Sequence, residues 1–252
     1  MANGSNGPEM SFWEHLDVLR GAIFRILVAV CLLSSLGLAF KEFLFSIILA
    51  PARPDFFMYR LLGTSFSMEL INVDISAQFF VHLKASLAAG FILAFPYLVW
   101  EAWRFVAPAL YASEKRAVRR TFALSSLLFY AGAAVGYFII LPLCLQFFMN
   151  YSVSPDISNT VTLRSYMSMF SSMVLLMGIA FEFPSAILLL SMLGVVDREL
   201  LKRGRKYAFV VLLIVAAFIT PSGDPLSMLL LAAPLYLLYE MSISLCSSRT
   251  KP

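Results

Sequence analysis

Four acidic positions carry most of the chemistry that this sequence could support. Glu182 lies in Phe181-Glu182-Phe183-Pro184, inside a long apolar stretch. An ionisable group at the centre of a membrane helix costs about 2.5–3.5 kcal/mol on insertion scales, so Glu182 is expected to face a bundle interior or a water-filled concavity. There it serves either as a structural hydrogen-bond partner or as a polar contact for cargo or a partner. Pro184 has no N–H to donate and is expected to bend this helix. Glu114 follows Ser113, a natural N-cap, in a loop that begins after Pro108. A carboxylate in a first helical turn is stabilised by about 0.3–1 kcal/mol, which is reason enough for Glu114 to be there. The alternative is that Glu114, with Glu101 nearby, receives a cationic ligand, since a guanidinium can form bidentate charge-assisted bonds to carboxylates. Asp224 closes the turn Thr220-Pro221-Ser222-Gly223-Asp224-Pro225 and is expected to cap the following helix.

The fourth acidic site is Asp17, with Glu14, in the segment Ser11 to Arg20. Phe12, Leu16 and Leu19 fall at i, i+4 and i+7, the signature of an amphipathic helix. It reads as an interfacial anchor with Trp13 in the aromatic belt, although the acids are unusual on a side that collects positive charge.

Catalysis finds no support in these residues. The histidines are His15 and His82, the latter read as interfacial. H-E-x-x-H, Walker and dinucleotide glycine motifs are absent, as is a rhomboid-type G-x-S-G. Cys31, Cys144 and Cys246 are far apart in apolar stretches, without the spacing of a metal site or a disulfide framework. No enzyme, metal or cofactor is expected, and no nucleic-acid partner.

The elements that must position these acids are membrane helices. Of 252 residues 60% are hydrophobic and 13% charged, with mean hydropathy +0.84. A soluble domain averages about 45–50% apolar and about 25% charged residues. The long continuous apolar runs fit helices, not barrel strands. Six spans are expected, near 21–40, 77–103, 121–148, 166–193, 207–219 and 226–245. The fold class is therefore an all-α polytopic membrane protein, organised as one integral membrane domain over 1–252. It comprises a polar tail over 1–10, an amphipathic helix over 11–20, a six-helix bundle over about 21–245 and a tail over 246–252. Met1 to Met10 lacks an apolar core, so no cleavable signal peptide is expected.

Placing both termini and the 104–120 and 194–206 loops on one side gathers fourteen Lys/Arg there and leaves five opposite. The positive-inside rule then makes both ends cytoplasmic. The fifth and sixth spans are the short ones. The thirteen residues of 207–219 reach only about 20 Å, against a core of about 30 Å. This pair either thins the membrane or dips into it. Residues 41–76, with Pro51, Pro54 and Gly63, are expected to form a periplasmic cap of short helices over a concave bundle.

The motifs in their order resemble the TatC family, the receptor of twin-arginine protein translocation, over about residues 12–245. The resemblance rests on His15-Leu16-x-x-Leu19-Arg20 and on Phe105-x-x-Pro108-Ala109-Leu110-Tyr111-x-x-Glu114. Tyr137 and Pro142, then Phe181-Glu182-x-Pro184, then Thr220-Pro221 with Asp224 complete it. It implies a non-enzymatic receptor of the bacterial cytoplasmic (inner) membrane that binds the twin-arginine signal peptides of folded cargo. By the same resemblance it recruits single-span TatA/TatB-like subunits, self-associates in a multimeric complex and works under the proton-motive force. Glu114 becomes the main carboxylate for the arginine pair. Phe105, Glu101, Arg20, Asp17, Leu19 and Tyr111 shape that site, and Glu182 and Tyr137 serve as intramembrane contacts for cargo or a partner. Pro51, Pro108, Pro142, Pro184, Pro221 and Asp224 take structural or periplasmic-loop roles. Val18 and Ala22 depart from the family's usual glutamate and second arginine, and Glu101 stands where an uncharged polar residue is common. The alternative reading is a small proton-coupled transporter with Glu182 as its relay, which predicts inverted repeats and further intramembrane polar groups.

Overall fold

The computed structural model describes residues 12–63, 68–106, 115–154, 156, 159–192, 194–220 and 224–246. Helix α1 (Phe12–Ala39) starts in the amphipathic segment and continues into the first span without a break. The amphipathic segment thus forms the first turns of a 28-residue helix. Nothing in 12–39 interrupts the helix: it contains no proline, and its glycines are single.

Next come α2 (Lys41–Ile48), a 3-10 turn at Ala50–Ala52 and α3 (Phe57–Leu62), the short helices of the cap. Gly63 at φ 64° stops α3 in the left-handed region, where a Cβ is costly. Helix α4 (Ala77–Val106) is the second span and contains Pro96. The third span is α5 (Lys115–Val135), a π-turn at Gly136–Ile140 and α6 (Leu141–Asn150), with Pro142 in the first turn of α6. The fourth is α7 (Leu163–Ala180) and α8 (Phe183–Met192). Helices α9 (Arg198–Ile219) and α10 (Pro225–Leu245) form the last hairpin.

Among the described residues, five segments are long and apolar enough to cross a membrane: Leu16–Ala39, Ala77–Phe105, Phe122–Asn150, Leu163–Ser191 and Pro225–Ser244. The last has 20 residues, where the other four have 24 to 29. The apolar part of α9 falls below that length because the first nine of its 22 residues are rich in charge. Among the described residues the departure from helix is one parallel pairing, in which β1 (Leu70–Ile71) meets β2 (Val161–Thr162) and ties the cap segment to the start of α7.

Three tyrosine hydroxyls fix the cap. The last carbonyls of a helix have no internal donor. At the end of α2, Tyr137 donates to the Ile47 carbonyl at 2.7 Å and Tyr166 to the Ile48 carbonyl at 2.6 Å. Tyr59 donates to the Pro51 carbonyl at 2.8 Å, and burial holds its phenol proton well above the ordinary range. Pro51, Pro142 and Pro184 are all fully buried in this frame.

Small residues let the helices approach closely, as membrane helices do without a hydrophobic drive between them. A Cβ on Gly90 would lie 2.6 Å from the Ser34 backbone nitrogen, and one on Gly37 would lie 3.0 Å from the Ser86 Cα, so α1 and α4 touch backbone to backbone. On α5 and its π-turn, Gly132 and Gly136 meet the carbonyls of Met177 and Met173 on α7. The main core runs from the cap to α10 and includes Tyr59, Leu141, Met173, Met177 and Leu231, all 0% exposed.

Candidate functional site

The α1–α4 seam sets the first half of the site. Arg25 lies opposite Glu101, Ser34 opposite Gly90 and Gly37 opposite Ser86, an antiparallel register. Continued toward the start of α1, this register puts Arg20 level with Phe105 and Val106. The two motifs separated by 85 residues in sequence, Leu19-Arg20 and Phe105, are thereby brought to the same end of the helix pair. Asp17, Leu19 and Arg20 are exposed there, and Phe105 is half-buried in the last turn of α4. Asp17, Arg20 and Gly21 share a shallow open depression with Phe24 and Leu27.

Glu101 sits one turn deeper than Phe105 and is 2% exposed. Its carboxylate is held by Arg25, whose Nε donates to Oε1 at 2.9 Å and whose Nη2 donates to Oε2 at 2.7 Å. Tyr97, one helical turn before it, adds its hydroxyl to Oε1 at 2.9 Å. Both oxygens of Glu101 are thus engaged within the protein, and a ligand guanidinium reaching it would have to displace Arg25. Sequence reasoning missed Arg25 as the partner. The available signal was a basic residue inside the first apolar run, which needs a counter-charge. Glu114, Tyr111, Pro108 and Pro221 lie outside the described residues.

The second half of the site is the break in the fourth span. The Phe181 N–H still bonds Met177, but the Glu182 N–H turns back to the Ile179 carbonyl at 3.0 Å. Pro184 has no N–H for the Ala180 carbonyl, which explains why the helix is interrupted just before it and restarts as α8. The expected bend is a two-residue break. Glu182 occupies the N-cap position of α8, where the helix dipole favours an anion. Its Oε2 accepts from the hydroxyl of Ser185 at 2.7 Å, and also from that of Ser125 on α5. Oε1 is buried without a partner among the described residues. Beside it lies an apolar cavity of about 310 Å³ between α7, α8, α9 and α10, lined by Phe183, Ala208, Val211, Leu235 and Tyr239. Ser125 and Ser185 were not singled out from sequence, because serines in apolar helices carry no spacing signal of their own.

Tyr137 points elsewhere. Its hydroxyl is engaged by the cap, and its ring packs edge-on to Phe56, Phe138 and Phe170. A cargo or partner contact at this position would have to go through the ring. Asp224 caps α10 as expected, Oδ1 accepting the Ser227 N–H at 2.7 Å. At the other end of the hairpin, Arg205 pairs with Glu240 at 2.7 Å and Tyr239 donates to the Leu201 carbonyl. His82 contacts the Gly37 carbonyl at 3.4 Å, and its ring lies tilted against Phe45. Cys31 is exposed, Cys144 and Cys246 are buried, and all three are free. Among the described residues no group of three or more His, Cys, Asp or Glu could hold a metal ion.

The family described as Sec-independent protein translocase protein (TatC) matches residues 14–234. A TatC protein of Blattabacterium sp. subsp. Periplaneta americana is 35% identical over 259 residues, covering 96% of each chain. That of Desulforapulum autotrophicum is 38% identical over 232 residues, covering 92% of this chain and 82% of its own. Two crystal structures titled as the twin-arginine translocase receptor TatC align with TM-scores of 0.77 and 0.80 at 36% and 35% identity. They cover 92% and 93% of this chain, and 97% and 100% of their own. TatC proteins are translocase components and not enzymes. The chain therefore belongs to the TatC family of Sec-independent protein translocases, multi-pass proteins of the bacterial inner membrane.

Proposed function

We propose that the chain is the core receptor of twin-arginine export, binding the signal peptides of folded cargo where α1 and α4 meet. The observation that carries this reading is the register that puts Arg20 level with Phe105, nine residues before Glu114 in the sequence. Glu114 takes the arginine pair by bidentate, charge-assisted bonds. Asp17 adds negative potential, which speeds the encounter with a basic peptide, while Glu101, neutralised by Arg25, holds α1 against α4 beneath the site. Phe105, Leu19 and Tyr111 form the apolar edge of the site.

Both termini are cytoplasmic and the α2–α3 cap is periplasmic, following the distribution of Lys and Arg. The chain acts as one integral membrane unit. The apolar segment of the signal peptide lies along the bundle toward Glu182, and the exposed apolar faces of α9 and α10 take a single-span TatA/TatB-like helix. Copies of the chain associate in a multimeric receptor complex, and the proton-motive force drives transport.

Photo-crosslinking in membranes tests the reading. A probe next to Glu114 is expected to label a twin-arginine signal peptide, to label its twin-lysine variant much less, and to lose the label in Glu114→Ala. Equal labelling by both peptides would remove the site. Proton flux through the isolated chain, abolished by Glu182→Gln, would favour the transporter reading instead.

A further inference from the structure

A second cavity lies away from both halves of this site. A cleft of about 800 Å³ opens under the β1–β2 pairing, between the first turns of α4, the end of α6 and the start of α7. Its walls divide into two chemistries. Phe80, Val81, Leu145, Phe148 and Met167 make an apolar wall drawn from three membrane spans. Asp74, Lys84 and Arg164 make a charged edge.

The charges do not cancel. Arg164 Nη1 is paired with Asp74 Oδ2 at 3.1 Å, which neutralises both. Lys84 makes no ion pair among the described residues, and it stands seven residues inside the Ala77–Phe105 span. At about 1.5 Å per residue its Cα is about 10 Å below Ala77, the first residue of α4. An ammonium at that depth needs an anion or a route to the headgroups. The cleft leaves one unmatched positive charge above an apolar wall, with the positive ends of α4 and α7 on the same side. An amphiphile with a net negative headgroup satisfies both halves. A zwitterionic lipid would add its own cation beside Lys84, and a water-soluble anion would leave the apolar wall uncovered.

We propose that this cleft is a binding site for an anionic phospholipid of the leaflet on the cap side. Its phosphate meets the Lys84 ammonium, and an acyl chain lies along Phe80, Leu145 and Phe148. The lipid would fill the space between the cap and the spans, and so couple the cap to the composition of that leaflet.

Native mass spectrometry of the full chain in a non-ionic detergent tests this with phosphatidylglycerol and phosphatidylcholine of identical acyl chains. Wild type is expected to retain phosphatidylglycerol about fivefold better, the scale of one basic residue at a membrane surface. Raising the salt concentration should shrink that preference. Lys84→Gln should abolish it and Lys84→Arg should keep it, with both variants monodisperse because Lys84 is exposed. Equal retention of the two lipids by wild type would overturn the proposal, as would an undiminished preference in Lys84→Gln. Displacement of the lipid by millimolar glycerol 3-phosphate would overturn it in favour of a free-anion site. Displacement by an apolar peptide with no dependence on Lys84 would do so in favour of a peptide groove.

Discussion

Arg25 and Glu101 join the first and second spans through a two-pronged ion pair in which the carboxylate is almost completely enclosed and the guanidinium is not. The exposure of the two side chains is 3% for Glu101 and 42% for Arg25. The pair is therefore asymmetric, and removing one partner is not equivalent to removing the other.

Arg25→Ala leaves a buried carboxylate with only the Tyr97 hydroxyl, and is expected to cost about 1–3 kcal/mol. Glu101→Gln keeps an acceptor for Tyr97 and lets Arg25 turn to water, so its cost is expected to stay below about 1 kcal/mol. The double variant should be more stable than Arg25→Ala alone. Thermal unfolding in detergent, followed by size exclusion, ranks the three, and the reverse order for the single variants would contradict the assigned burial.

The break in the fourth span gives a second test. Ser125→Ala takes one of two hydroxyl donors from Glu182 and is expected to destabilise by about 1–3 kcal/mol. In a Glu182→Leu background the same serine change should cost clearly less, because no carboxylate is left to satisfy. Additive effects across the four proteins in the same assay would show that the serine does not serve the carboxylate.

Backbone contact between α1 and α4 makes Gly90 the more sensitive of two glycines. Gly90→Ala is expected to cost about 1–3 kcal/mol, since the new Cβ would lie 2.6 Å from a backbone nitrogen of Ser34. Ser34→Ala should not rescue it, because the obstacle includes main chain. Gly37→Ala, with its nearest atom at 3.0 Å, should be milder. Melting temperatures of the three variants check the order.

The cap is expected to loosen without the bundle loosening. Tyr137→Phe and Tyr166→Phe each remove the donor to a helix-end carbonyl of α2, at about 1 kcal/mol apiece. Hydrogen–deuterium exchange should rise over 41–62 and stay unchanged over 163–180. Uniform acceleration would assign these hydroxyls a role in the whole bundle.

Much of this architecture was legible from composition and charge. The span limits, the short apolar part of the fifth helix, the cap helices and the Asp224 cap follow from apolar length and turn chemistry, which are local signals. What could not be read were the pairings. The Glu101–Arg25 bond spans 76 residues, and that of Ser125 with Glu182 spans 57. Sequence periodicity fixes which face a side chain occupies but not which helix comes to meet it. The Tyr130 hydroxyl shows the same limit. It donates to the Ile92 carbonyl at 3.0 Å, the group that Pro96, four residues on, cannot serve. Pro96 announces an orphan carbonyl, but nothing local names the tyrosine that repairs it. Glu101 was expected to stand ready for a ligand, and its engagement with Arg25 depends wholly on the α1–α4 register.

That register also has a consequence in time. Helix α1 is synthesised before α4, and only 17% of its apolar segment is buried in the finished protein, so it can settle in lipid before its partner exists. Its arginine then waits for a counter-ion 76 residues away. At a synthesis rate of about 5–20 residues per second the delay is roughly 4–15 s. For that interval Arg25 must reach back to the headgroups, holding α1 high in the bilayer. The arrival of Glu101 releases it, so the second span fixes the final depth of the first, and the order of synthesis becomes part of how the bundle closes.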